Sequence, residues 1–164
     1  MRLIKVLLTC LAFIPALAFA QYCNETGKCN GADVTLYCHG TTIPCIGTSG
    51  PDVVCVTKPI EVRTRGGDDN VCVVAVGATV KLGSGNDQLV IERGGGTHYG
   101  GLGSDLMVSY GSAPVVFRGG PGNDALFGSN LALDTLHGGK GLDDCVVGEM
   151  GGAIGPSCEG GIPE

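Results

Sequence analysis

The chain is short of positive charge: 10 Lys and Arg stand against 16 Asp and Glu, a net of −6 with histidine neutral. Such an acidic balance argues against nucleic acid or an anionic membrane as partner, and suits a protein that recruits a divalent cation. Catalytic motifs are equally scarce. A Gly-x-Ser-x-Gly elbow, a His-Glu-x-x-His pair and a paired-carboxylate signature are all missing. The three histidines, His39, His98 and His137, keep no common offset from any repeat. Beyond residue 20 no apolar run is long enough to suggest a membrane span. The cysteine spacings match no tetrahedral zinc pattern.

Residues 1–20 have the three zones of a secretory signal: Arg2 and Lys5, an apolar core over 6–17, and Ala18-Phe19-Ala20 as a small-x-small cleavage site. Cleavage there leaves residues 21–164, a length that suits one domain, and removes Cys10 together with two positive charges. The remaining cysteines, Cys23, Cys29, Cys38, Cys45, Cys55, Cys72, Cys145 and Cys158, form an even set in an exported chain, so disulfides are expected.

What the sequence has in abundance is glycine, 30 residues, much of it in one repeated word. Gly100-Gly101-Leu102-Gly103-Ser104-Asp105, Gly119-Gly120-Pro121-Gly122-Asn123-Asp124 and Gly138-Gly139-Lys140-Gly141-Leu142-Asp143 recur 19 residues apart. Leu82-Gly83-Ser84-Gly85-Asn86-Asp87 departs only at its first position. Continuing the step toward the N-terminus reaches Asp69, Asp52 and Asp33, each with glycine two residues before it. A fixed period of this length means stacked units that bury one another's apolar faces. Two residues after the aspartates stand Thr35, Val54, Val71, Leu89, Met107, Leu126 and Cys145, one inward side chain per coil. A coil of 17 to 19 residues holds two short strands and two turns, which predicts an all-β parallel β-helix of about seven coils. Residues 21–46 are expected to form a cysteine-rich N-terminal cap, 47–147 the β-helix and 148–164 a C-terminal cap.

The repeat register bears on the cysteines too. Cys55 and Cys72 both follow their aspartates by three residues, so they are expected side by side on adjacent coils and paired. Cys145 with Cys158 would pin the tail over the last coil, and the other four lie within 23 residues of one another.

The word Gly-Gly-x-Gly-x-Asp-x-apolar resembles the nonapeptide of the RTX, or haemolysin-type, calcium-binding repeats, closely over 82–145 and partially over 47–71. The resemblance implies a right-handed β-roll with Ca²⁺ held between successive turns. The matching residues are Gly83, Gly85, Asp87, Gly101, Gly103, Asp105, Gly120, Gly122, Asp124, Gly139, Gly141 and Asp143, with Asp69 as a possible addition. The half-coil opposite lacks a repeated carboxylate, only Asp134 standing near, so a single row of about three to four ions is expected. The alternative is that glycine and aspartate serve only as turn residues. The implied function is a secreted or cell-surface, non-enzymatic calcium-binding protein, the periplasm also being open, and the resemblance points to a bacterial source.

Three residues after the aspartates come Leu36, Cys55, Cys72, Val90, Val108, Phe127 and Val146, apolar although they should face outward. Either a cap or the tail covers this strip, or it serves a partner or self-association. A small carbohydrate-active enzyme on a β-helix, or an adhesion module using the strip, remain the other functional readings. A protein or polysaccharide partner outside the cell is open.

Overall fold

From residue 36 onward each strand pairs in parallel with the strand one coil before it or one coil after it. The computed structural model describes residues 23, 27–40, 43–130, 132–148 and 151–158; the leader expected at 1–20 lies outside them. The strands alternate between two seven-stranded sheets, which makes an all-β solenoid of about six coils. Sheet I contains Leu36–Cys38, Val53–Val56, Asn70–Val73, Gln88–Ile91, Leu106–Ser109, Ala125–Phe127 and Asp144–Val146. Sheet II contains Cys45–Ile46, Glu61–Gly66, Thr79–Ser84, Gly96–Leu102, Val115–Pro121, Thr135–Lys140 and Ala153–Ile154.

The core follows from the two-residue alternation of side chains along a strand. Val54, Val71, Leu89, Met107, Leu126 and Cys145 stack inward from sheet I, as the period predicts, and all are fully buried. Val62, Val80, Phe117 and Leu136 face them from sheet II. His98 stands in the same row with no exposure, edge-on to Phe117 at 5.8 Å between ring centroids. Each apolar side chain so buried is worth about 1.5–3 kcal/mol relative to exposure.

The N-terminal end differs from the expected register. Leu36, not Thr35, pairs with Val54, and Tyr37, not Leu36, stands beside Cys55. Asp33 is outside the aspartate row altogether: it is exposed, ion-paired with Lys28 at 2.7 Å, in an antiparallel hairpin of Lys28–Cys29 and Ala32–Asp33. Asn30 and Gly31, at φ 48° and 87°, form its two-residue turn, so the Asn-Gly pair is the local signal that specifies the hairpin. That hairpin accounts for the missing seventh coil.

The expected Cys55–Cys72 bridge does not form. Those two residues are register partners on neighbouring parallel strands, where Cβ vectors point the same way and do not converge. The N-terminal segment lies across the outer face of sheet I and supplies both partners, giving Cys23–Cys55 and Cys29–Cys72. Asn30 Nδ2 donates to Asn70 Oδ1 at 2.7 Å and Asn70 Nδ2 donates to the Cys29 carbonyl at 3.1 Å, fixing the hairpin to the sheet. Cys38–Cys45 closes a short loop, and the expected Cys145–Cys158 bridge is present. Ala153–Ile154 adds a last strand beside Thr135–Lys140.

Glycines four and two residues before Asp87, Asp105, Asp124 and Asp143 adopt positive φ and let adjacent turns touch. A Cβ on Gly103, at φ 118°, would strike the Gly85 carbonyl oxygen. Arg65 occupies the first of these positions in its coil and takes φ 83° without being glycine. Arg65→Gly is therefore expected to stabilise the fold by about 1 kcal/mol through relief of left-handed strain. Gly103→Ala is expected to cost about 3 kcal/mol or more, because strain and collision combine. Urea unfolding of the two variants beside wild type measures both.

Candidate functional site

One corner of the solenoid carries the repeated turns. Asp52, Asp69, Asp87, Asp105, Asp124 and Asp143 all turn inward there, each between 2% and 6% exposed. Sequence spacing placed them in a row, and the structure adds that the row is inside the corner. Each carboxylate reaches back one coil: Oδ1 of Asp69, Asp87, Asp105, Asp124 and Asp143 accepts the backbone N–H of the preceding aspartate at 2.8–3.0 Å. The backbone carbonyls of Asp52, Asp69, Asp87, Asp105 and Asp124 accept an N–H from the next coil at 2.8–2.9 Å.

A second ladder runs one residue earlier and in the opposite sense. Asn86 N–H donates to Asp68 Oδ1, Ser104 N–H to Asn86 Oδ1 and Leu142 N–H to Asn123 Oδ1, at 2.8, 2.9 and 3.0 Å. Glycine N–H groups close a third: those of Gly67, Gly85, Gly103 and Gly122 donate to Ser84, Leu102, Pro121 and Lys140 carbonyls. Backbone groups that would otherwise be lost at the turns are thereby paired.

The other carboxylate oxygen is different. Oδ2 of Asp69, Asp87, Asp105, Asp124 and Asp143 is buried with no hydrogen-bond partner. What these atoms face depends on the residue five positions before each aspartate. In the last three coils it is Gly100, Gly119 or Gly138. A Cβ on Gly100 would collide with Asp105 Oδ2 and approach the Gly119 carbonyl oxygen; one on Gly119 would meet Asp124 Oδ2 and the Gly138 carbonyl; one on Gly138 would meet Asp143 Oδ2. In each case the carboxylate oxygen packs directly over the glycine Cα, with a carbonyl oxygen of the next coil beside it in two of the coils, so that no side chain fits there. In two earlier coils a side chain occupies this position: Thr64, whose hydroxyl donates to the Leu82 carbonyl, before Asp69, and the fully buried Leu82 before Asp87; before Asp52 it is Gly47, where a Cβ would meet Asp52 Oδ2 and the Thr64 carbonyl.

Two inward aspartates lack this feature. Asp52 Oδ2 accepts Thr48 N–H at 2.7 Å, and Asp134 Oδ2 accepts Ser129 N–H at 2.5 Å while its Oδ1 accepts Val115 N–H at 2.9 Å. Asp134, the one carboxylate near the opposite half-coil, is therefore fully engaged in holding backbone.

Burial pushes the Asp87 carboxyl up to about 6 and that of Asp105 up to about 7, with the charge of neighbouring aspartates adding to the rise and the accepted N–H opposing it. Burial also raises Asp69 and Asp124. Among the described residues no three His, Cys, Asp or Glu side chains converge on one point. Any cation in this corner must draw most of its shell from backbone oxygen and water.

The histidines occupy three unrelated surroundings. His39 is exposed, His137 lies half-buried on the outer face of sheet II, and His98 is in the core with neither ring nitrogen bonded. Burial pushes His98 down to about 4. On the outer face of sheet I the hairpin covers Cys55 and Cys72, whereas Val108, Phe127 and Val146 lie beyond it. A groove of about 510 Å³ follows the hairpin edge, lined by Asn30, Gly31, Val90, Leu106, Val108 and Tyr110 among others.

No protein-family model, curated protein or solved structure matches the chain.

A raised carboxyl pKa means that the folded chain holds a proton that the unfolded chain, near 3.9, has already released. Ion-free stability therefore falls as pH rises from about 4 through the folded values of Asp87 and Asp105. His98 acts with opposite sign below about 6.5, so the carboxylate effect is cleanest above that pH. In chelator, wild type is expected to lose stability between about pH 6.5 and 8. Asp105→Asn keeps the Oδ1 acceptor and supplies an amide donor in place of Oδ2, so it should flatten this dependence and gain about 1–3 kcal/mol at pH 8. Urea unfolding at the two pH values checks both outcomes.

Proposed function

We propose that this chain is an exported, non-enzymatic calcium-binding β-solenoid in which the ion completes the corner that the aspartate row leaves unsatisfied. The observation that carries the reading is the set of five buried Oδ2 atoms without partners, three of which lie directly against Gly100, Gly119 and Gly138. Those three coils are also the ones that carry the complete Gly-Gly-x-Gly-x-Asp word of the RTX-type repeat.

The residues fit a hard cation in kind. Carboxylate and carbonyl oxygens are the donors Ca²⁺ prefers, and it needs six to eight of them. Asp105, Asp124 and Asp143 would each offer one carboxylate oxygen, and the carbonyls of Gly119 and Gly138 lie beside the first two. Water and further turn carbonyls supply the rest of the shell. Because the carboxylates of Asp105 and Asp124 lie beside carbonyls of the next coil, those of Gly119 and Gly138, a cation shared between them would tighten stacking, and its binding energy would become folding energy. Four disulfides and the lack, among the described residues, of any helix long and apolar enough to cross a membrane are compatible with an extracellular setting, where Ca²⁺ is abundant.

The test is calorimetric titration of the oxidised chain with Ca²⁺, with Mg²⁺ as control, read together with thermal unfolding. About three bound ions are expected, and each site should add about 2.7 kcal/mol at a hundredfold excess over its dissociation constant. Asp105→Ala/Asp124→Ala should remove most of the heat and most of the shift. Equal response to Ca²⁺ and Mg²⁺, or none to either, leaves the aspartates as turn-forming residues only and ends the calcium reading.

A further inference from the structure

The outer face of sheet II has a charge pattern opposite to that of the chain as a whole. Period-two alternation sends Arg63, Lys81, Tyr99, Arg118 and His137 outward, and the strand register makes them successive neighbours: Arg63 with Lys81, Lys81 with Tyr99, Tyr99 with Arg118, Arg118 with His137. At a strand spacing of about 4.8 Å the row is straight and spans roughly 19 Å. Two residues earlier on each strand stand Glu61, Thr79, Thr97, Val116 and Thr135, so a line of mostly hydroxyl-bearing side chains runs beside it on the same face.

Glu61 is the only acidic residue projecting from this face among the described residues, although the chain holds 16. Its Oε1 accepts from Arg63 Nε at 3.0 Å and Lys81 Nζ at 2.7 Å. Those hydrogen bonds hold its carboxyl down to about 2. The arrangement shows that one carboxylate can be received between two members of the row. Arg118 has no ion-pair partner among the described residues, and Gly155 packs against the His137 ring, where a Cβ would strike Nδ1.

We infer that this face binds a linear acidic polysaccharide, whose anionic groups lie along Arg63, Lys81, Arg118 and His137 with one sugar ring against Tyr99. Three features select that partner. A row one side chain wide, with like groups at constant spacing, matches a single extended polymer with regularly repeated charge. Threonine hydroxyls alongside can exchange hydrogen bonds with sugar hydroxyls. A single central aromatic suits stacking on one ring, whereas single-stranded nucleic acid is held by several successive aromatics in a broad positive groove, which an acidic chain does not offer. The inference is independent of the calcium reading, since the aspartate corner and this face share no side chain.

The experiment is affinity measurement on the full oxidised chain at millimolar Ca²⁺, using heparin, a short oligogalacturonate, neutral dextran, polyglutamate and oligo-dT as probes. Heparin or oligogalacturonate should bind, in a salt-sensitive manner, and dextran should not. Arg118→Gln and Tyr99→Ala should each weaken binding, Arg118→Glu by roughly tenfold or more. Lys140→Gln, on the aspartate corner, should leave it unchanged. Circular dichroism of each variant separates loss of binding from loss of fold, and the milder Arg118→Gln retains the test where Arg118→Glu does not fold. The inference is overturned by failure of both acidic glycans to bind, by binding indifferent to Arg118→Gln and Tyr99→Ala, or by tighter binding of oligo-dT or polyglutamate.

Discussion

The hydrogen bond from each aspartate N–H to the carboxylate of the aspartate one coil later is the constraint on which the solenoid depends. Parallel strands pair along their lengths, but the chain must then turn a corner every nine residues or so, and a corner strips backbone groups of their ladder partners. Here the carboxylate of Asp69, Asp87, Asp105, Asp124 or Asp143 extends the ladder through the corner. Such a bond to a charged acceptor is stronger than a neutral one. It also requires the carboxylate to be inside, and it stacks like charges at coil spacing. Glycine at positive φ beside it is a consequence: coils held this closely leave no room for a Cβ over the preceding carbonyl, as at Gly83, Gly101, Gly120 and Gly139.

Stabilising devices are divided along the axis. The N-terminal coils are held by Cys23–Cys55, Cys29–Cys72 and Cys38–Cys45, and after Gly47 in the first corner Thr64 and Leu82 fill the next two. The last three coils have glycine there, and their covalent restraint is Cys145–Cys158 at the end. Closing loops of 32 and 43 residues, the hairpin bridges restrict the unfolded chain most at the N-terminal end. Where crosslinks and corner side chains thin out, the complete glycine word takes over.

Much of this was legible because a solenoid repeats its constraints. The aspartate period located the coils, and the residue two after each aspartate identified the inward ladder from Val54 to Cys145. Departures arise where the chain stops repeating. Asp33 satisfies the spacing by coincidence, while Asn30-Gly31 carries the local turn chemistry that actually governs that stretch. The Cys23 and Cys29 pairings depend on a segment folding back over a sheet face, a tertiary event that spacing does not encode. Counting from the aspartates likewise hid the outward row from Arg63 to His137, because its members share a position but not a residue type. The inward placement of the carboxylates, and the division of their two oxygens between roles, required side-chain geometry.

Asp52 and Asp134 decide how the unpaired oxygens are to be understood. Both are inward and buried, and Asp134 uses Oδ1 as the row does, to receive an N–H from the coil before. In both, Oδ2 is also bonded, to Thr48 or Ser129 N–H. A local turn can therefore satisfy a carboxylate completely within this fold, so the unbonded Oδ2 atoms of Asp69 through Asp143 are not an unavoidable by-product of the corner. An unpaired buried acceptor costs about 1–3 kcal/mol, and more when charged. Five in succession form a sum that a solenoid this small sustains when protons, water or cations fill the role that a backbone donor fills at Asp52 and Asp134. Protonation supplies one donor and removes the charge at one coil; a divalent ion neutralises the charge while drawing on two coils together. Only the second would strengthen stacking itself, as proposed for Asp105 with the Gly119 carbonyl and for Asp124 with the Gly138 carbonyl.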